Sequence, residues 1–150
     1  GAAETMVLEA AQKSDIILVE GQGSLAPPGF SGVTLALLHG SCPQGLILCH
    51  TASREKIKGT NFDMPELGKL IETYQRMASY MRPAKVLAIS VNTRALDDQA
   101  ARRYLKMIGE ETGLPITDPV RYSADPLWQA VAELETQLSK SSLISTKEHQ

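Results

Sequence analysis

Short runs of branched aliphatic residues alternate along the chain with segments whose apolar residues recur at helical spacing. The runs predict four strands, each buried on both faces, and lie at residues 16–19, 46–49, 86–91 and 114–117. Such an alternation implies right-handed crossovers between parallel strands. The sequence therefore predicts an α/β fold with a parallel sheet covered by helices on both faces.

Helical periodicity fills the segments around these runs. Apolar residues at helical spacing predict helices over residues 6–11 and 67–81. Asp97 and Asp98 favour the start of another helix, which Gly113 would end. Asp125, as N-cap before Pro126, predicts a last helix. We expect one α/β domain over residues 1–138 and a flexible polar tail over residues 139–150.

Composition narrows the class of protein. The 15 Lys and Arg residues nearly balance the 17 Asp and Glu residues, and neither sign forms a block, so we expect no nucleic acid and no membrane as partner. Cys42 and Cys49 are too few for a disulfide framework, and Cys49 should pack in the core, which favours the cytoplasm. The chain begins with Gly rather than Met, so we expect a piece of a larger protein.

Ligands of open parallel sheets bind at the carboxyl ends of the strands. Four polar loops follow the predicted strands, at residues 20–24, 50–54, 92–94 and 118–123. Glu20 ends the first strand, where its carboxylate could meet a metal ion, water or a substrate proton. Gly21 and Gly23 can adopt backbone conformations with positive φ, which would aim the amides of Gly21, Gln22, Gly23 and Ser24 at an anion. The alternative is a tight turn with a solvated glutamate.

Other polar residues each have a functional and a structural interpretation. Ser31 and Thr34 could hold an anion at the amino end of a short helix or only cap it. His50 could be a base or a structural histidine. Two loops could bind ligand or form ordinary turns, one with Asn92 and Thr93 and the other with Asp118 and Arg121. A metal site is not indicated, because the spacing of His39, Cys42, Cys49 and His50 matches no common zinc signature.

Several strings resemble one known family over about Asp15 to Leu138. The strings DIILVEGQGSL, SGVTLALLHGS, GLILCH, VLAISVNT and TGLPITDPVR are similar to the carboxyl-terminal domain of D-glutamate N-acetyltransferase-like proteins. The resemblance implies a P-loop NTPase-like three-layer sandwich that lacks its first strand and phosphate loop. No GxxxxGK[ST] motif occurs in the chain, so that loop would lie upstream in the same protein.

The activity that the resemblance implies is acetyl transfer from acetyl-coenzyme A to the amine of D-glutamate. Glu20 or His50 would be the base, and Glu20 would also stand where a metal ion such as Mg²⁺ is held. The amides of residues 21–24 would be oxyanion donors. The cofactor, acetyl-coenzyme A or ATP, would lie against these loops and the polar residues Ser31, Thr34, Asn92 and Thr93. Arg54, Asp118 and Arg121 would face the substrate.

Two alternatives stay open at this point. The domain could bind ATP or GTP in an ATP-dependent ligase or kinase-like enzyme, or it could bind nucleotide without catalysis. In each case we expect a small-molecule substrate and the upstream part of the same protein as partners, and a homo-oligomer stays open. We expect the isolated chain to be inactive.

Overall fold

The structure is a computed structural model that describes residues 1–21, 23–57 and 59–147, with the backbone alone for residues 142–147. Its elements follow in chain order: α1 Ala2–Ala10, α2 Pro28–Ser41, β1 Gly45–Thr51, α3 Leu67–Ala78, β2 Lys85–Asn92, α4 Asp98–Thr112, β3 Ile116–Thr117 and α5 Asp125–Lys147.

The three strands are parallel and form one sheet in the order β1-β2-β3. Ile89 of β2 lies opposite Ile116 of β3, which fixes the register of this pair. Ala88 and Ile89 are completely buried, as expected for the central strand of a sheet covered on its faces. The predicted α/β class and three of the four predicted strands are confirmed.

The described chain divides into two compact units. The first comprises residues 1–44 and 54–85 and contains α1, α2 and α3. In this unit α1 packs on α2, and α2 contacts α3. The second unit comprises residues 45–53 and residue 86 onward. There α4 and α5 contact β3, and α5 also contacts β1.

The limits of α4 agree with its sequence signals. Asp97 is the N-cap, and its carboxylate accepts a hydrogen bond of 2.7 Å from the Ala100 amide. Gly113 ends the helix with φ +66°, the left-handed conformation that glycine adopts at little cost. Ala101 and Ile108 are buried on the inner face. The prediction of this helix is confirmed.

Helix α5 begins one residue earlier than the sequence indicates. Asp125 is its first residue, whereas the amides of Leu127 and Trp128 both donate to the Ala124 carbonyl, which marks Ala124 as the cap. Its other end continues past Leu138 to Lys147, so much of the segment expected to be a polar tail is helical. In the part of the chain that the structure describes, no helix is both long and apolar enough to cross a membrane.

The prediction of a strand over residues 16–19 is wrong. These residues belong to no strand, and the side chain of Leu18 is 77% exposed. An aliphatic run becomes a strand only when a neighbouring strand satisfies its amides and carbonyls, a requirement that is not local to the run.

Cys49 also differs from expectation. It is exposed, while its neighbour Leu48 is buried at 8% exposure. Successive side chains of a strand point to opposite faces, so the side chain that β1 buries here is Leu48 and the thiol lies on the other face.

Candidate functional site

In the first unit, the glycine-rich loop predicted as a ligand loop is held by specific contacts. Gly23 has φ +79°, and a Cβ at this position would lie 2.6 Å from the Cβ of Phe30, so only glycine fits. The Ser24 hydroxyl accepts a hydrogen bond of 3.1 Å from the Ala26 amide. The Leu25 amide donates to the Tyr74 hydroxyl of α3 at 3.0 Å. The carboxyl side of the loop therefore has a defined position against α2 and α3.

Glu20 lies at the exposed start of this loop. Its carboxylate is open to solutes, but the strand expected to precede it is not formed. Gln22 lies outside the described residues. Across the described ranges, no group of three His, Cys, Asp or Glu side chains could hold a metal ion. Mg²⁺ is often held by one or two carboxylates together with substrate phosphates, so the metal role of Glu20 stays a prediction.

Ser31 and Thr34 lie inside α2 and not at its amino end, so the predicted start of this helix is wrong. The hydroxyl of Ser31 donates to the Pro28 carbonyl at 3.3 Å, and that of Thr34 donates to the Phe30 carbonyl at 3.0 Å. The helix begins earlier because proline, with its fixed φ and missing N–H, suits the first turn. Both hydroxyls thus donate to carbonyls of the helix's first turn.

In the second unit, Asp118 joins the loops that follow β2 and β3. It is 4% exposed, and its Oδ2 accepts hydrogen bonds from the amide and the hydroxyl of Thr93, at 2.9 and 2.5 Å. Its Oδ1 accepts from the amides of Val120 and Arg121, both at 3.0 Å. Burial alone would raise the pKa of Asp118, but these hydrogen bonds outweigh burial and hold the pKa below its usual value.

The guanidinium of Arg121 strengthens the same connection. Its Nη2 donates to the carbonyls of Thr93 and Leu96, at 3.2 and 2.8 Å. Asn92 forms a separate turn, in which its Oδ1 accepts from the Arg94 amide at 3.0 Å. Thr93 is 0% exposed. The turn interpretation of both loops is therefore supported, while their contact with cofactor or substrate stays a prediction.

His50 lies within β1, one residue before the strand ends, and not beyond the strand as predicted. Its Nε2 is 2.8 Å from the Tyr104 hydroxyl of α4. The two rings are nearly parallel, with an interplanar angle of 7° and centroids 6.2 Å apart. Both residues are half-buried, so the pair combines a fixed geometry with access to solvent.

Tyr104 is a candidate functional residue that the sequence interpretation missed. Helical periodicity indicates only that Tyr104 faces inward, because His50 is 54 positions away in the sequence. Burial raises the pKa of the Tyr104 hydroxyl, and the negative charge of Glu111 raises it further. The phenol is therefore protonated at neutral pH.

A second missed cluster lies at the amino end of α4. Asp98 accepts hydrogen bonds from the Tyr122 hydroxyl at 2.9 Å and from the Arg102 Nε at 2.8 Å. The Arg102 guanidinium also lies 4.7 Å from the centroid of the Tyr122 ring. The hydrogen bond from Arg102, followed by that from Tyr122, lowers the pKa of the Asp98 carboxyl. The cluster is exposed, so its contribution to stability is small.

The candidate residues thus fall into two sets. The first unit carries the glycine-rich loop with Glu20, together with Ser31, Thr34 and the exposed Arg54. The second unit brings together Asn92, Thr93, Asp118 and Arg121 in one pair of loops and holds His50 against Tyr104.

Known proteins match most of the chain. The chain is 42% identical over 117 residues to a D-glutamate N-acetyltransferase of Tritonibacter scottomollicae, which covers 77% of the chain and 35% of that protein. It is 34% identical over 129 residues to a D-glutamate N-acetyltransferase of a Pseudoalteromonas species, covering 85% of the chain and 39% of that protein.

A solved structure agrees with the fold. The crystal structure of a DUF1611 family protein from Anabaena variabilis superimposes with a TM-score of 0.84 at 39% identity, over 89% of this chain and 40% of that protein. The chain therefore spans about two fifths or less of the relatives that it matches. Residues 1–128 match the family described as "Domain of unknown function (DUF1611_C) P-loop domain". The chain belongs to the DUF1611 family, and its residues 1–128 correspond to the carboxyl-terminal P-loop domain of that family.

Proposed function

We propose that the full-length protein transfers an acetyl group from acetyl-coenzyme A to the amine of D-glutamate, and that this domain supplies the acid–base group and part of the cofactor site. The observation that carries this proposal is the 42% and 34% identity to two proteins named D-glutamate N-acetyltransferase, over 77% and 85% of the chain. The whole activity needs residues of the full-length protein beyond these 150.

The chemistry assigns a role to each candidate group. An acetyl transfer needs a base for the ammonium proton, donors for the thioester oxyanion and a cation for the substrate carboxylates. His50 is the favoured base, because its ring is fixed by Tyr104 and remains half-exposed. Arg54 is the favoured carboxylate anchor, since it is exposed while Arg121 already bonds two backbone carbonyls.

The glycine-rich loop of the first unit is the proposed source of oxyanion donors. The amides of Gly21, Gly23 and Ser24 can donate to a developing oxyanion, as backbone amides do in other acyl transfers. Support comes from the fixed geometry of the loop, in which Gly23 packs against Phe30 and the Leu25 amide binds Tyr74.

The test uses the full-length protein with isotope-labelled acetyl-coenzyme A and D-glutamate, with L-glutamate as the competing substrate and with or without ATP. We expect labelled N-acetyl-D-glutamate and free coenzyme A without ATP consumption. His50→Gln should lower turnover by about 10²- to 10⁴-fold, the usual loss for a general base.

His39→Gln is the matched control. The Nε2 of His39 lies 3.0 Å from the Met77 carbonyl inside the first unit, so this variant should keep normal turnover. Absence of acetylated product, or a product whose formation consumes ATP, would contradict the proposed function.

A second candidate, nucleotide binding, is favoured by the match to a family described as a P-loop domain. The backbone cradle of a phosphate loop supplies much of nucleotide affinity, and the 150 residues contain no GxxxxGK[ST] motif. We expect this chain alone to bind ATP weakly. Tight, magnesium-dependent binding in a calorimeter would refute that expectation.

A further inference from the structure

The contact between His50 and Tyr104 joins an imidazole nitrogen to a phenol oxygen. The 2.8 Å between Nε2 and the phenolic oxygen is within hydrogen-bond reach for a donor on either atom, so the direction of the bond depends on the ring tautomer. A neutral imidazole nitrogen is a much stronger acceptor of protons than a phenol oxygen. When the neutral His50 ring carries its proton on Nδ1, the Tyr104 hydroxyl donates to Nε2, which is the direction that the stronger basicity of the imidazole favours.

This direction bears on how His50 can act as a base. With the ring proton on Nδ1 and the Tyr104 hydroxyl bonded to Nε2, a substrate proton can reach Nε2 through the phenol. Parallel rings, held by a strand on one side and a helix on the other, keep this path in place.

We propose that Tyr104 is a catalytic residue that relays the substrate proton to His50. This inference rests on the proposed acetyl transfer. The substrate ammonium gives a proton to the Tyr104 oxygen while the tyrosine's own proton moves to His50 Nε2, which leaves a neutral amine, a neutral phenol and an imidazolium.

The remaining steps balance without another reactant. The amine nitrogen bonds to the carbonyl carbon of the thioester, and the C–S bond breaks. A second N–H proton leaves with the thiolate as coenzyme A, and one stays on the product amide. The imidazolium then returns its proton through Tyr104 to water.

The first test is kinetic and uses the full-length protein. Tyr104→Phe should lower kcat as far as His50→Gln does, by about 10²-fold or more, with KM nearly unchanged, because both variants break the same relay. The double variant should be no slower than either single variant.

Tyr80→Phe is the matched control. Tyr80 also lies beside a histidine, with ring centroids 6.2 Å apart, but the His39 Nε2 lies 3.0 Å from the Met77 carbonyl. Normal kcat is expected for Tyr80→Phe. A Tyr104→Phe variant with kcat near that of the wild-type protein would overturn the relay.

The second test is spectroscopic and does not depend on turnover. With ¹⁵N-labelled histidine at a pH where the ring is neutral, and with His50→Gln for assignment, His50 should show a protonated Nδ1 and an unprotonated Nε2. Tyr104→Phe should shift the Nε2 signal, since its hydrogen bond is lost. A proton on Nε2 in the wild-type protein would overturn the relay, whereas absence of acetylated product would overturn the proposed function.

Discussion

Replacing Asp118 with alanine should destabilise the chain more than any substitution of an exposed acidic residue. The change removes the acceptor of four hydrogen bonds. Two donors, the amide and the hydroxyl of Thr93, are buried and would lose this partner. The amides of Val120 and Arg121 lie in a part-buried loop, where water can replace the carboxylate.

The magnitude follows from the two buried donors. Each buried donor left unpaired costs about 1–3 kcal/mol, so Asp118→Ala should lower the free energy of unfolding by about 2–6 kcal/mol at pH 7. Asp15→Ala is the control, because Asp15 is exposed, and its effect should stay within about 0.5 kcal/mol. Urea unfolding of the three proteins, followed by circular dichroism, measures both effects.

The pH dependence gives a second measurement. The folded pKa of Asp118 is lowered, so the stability it contributes is fully present above the ordinary pKa of about 3.9 and is lost as the pH falls through the lowered value. The difference between wild type and Asp118→Ala should therefore shrink at pH 3. A difference below about 0.5 kcal/mol at pH 7, the range of ordinary surface substitutions, would refute the reasoning.

Further predictions concern the glycine-rich loop and Arg121. Gly23→Ala should lower the free energy of unfolding more than Gly59→Ala does. Both glycines have φ near +80°, but a Cβ at position 23 would meet Phe30, whereas a Cβ at position 59 would meet open space among the described atoms. Equal losses in urea unfolding would rule out the contact with Phe30. Glu20→Gln should keep near-normal turnover, because His50 is the proposed base; a loss of about 10²-fold or more with an unchanged thermal midpoint would instead assign that role to Glu20. Arg121→Lys should lower the free energy of unfolding by about 1–2 kcal/mol through loss of its two carbonyl bonds; a raised KM with full stability would instead support a substrate anchor.

Local patterns were sufficient for much of the fold. Helices α3 and α4 were predicted from signals that depend only on neighbours in sequence, namely the apolar periodicity of both helices and the aspartate cap and terminal glycine of α4. The structure contains both helices, with these caps on α4. The apolar runs at β1 and β2 became strands because each run has a partner in the sheet. The run at residues 16–19 carries the same local signal without a strand partner in the described chain, which explains the failure there.

The candidate site was less predictable because its geometry depends on distant pairs. Asp118 could be assigned to a turn from the following Pro119, but its bonds to Thr93 join positions 25 residues apart. The partner of His50 is separated from it by 54 residues and was indicated only as an inward position of a helix. Ser31 and Thr34 were misplaced because the helix starts at Pro28, in a segment that resembles a loop in sequence.

The double connection between the loops after β2 and β3 has a consequence for binding energetics. Asp118 accepts from Thr93, and Arg121 donates to the carbonyls of Thr93 and Leu96, so one acidic and one basic side chain each join the two loops. A ligand that contacts one loop meets a surface whose conformational entropy has already been lost during folding. Such preorganisation lowers the entropy cost of binding and therefore favours affinity, at the expense of adaptability to substrates of different size.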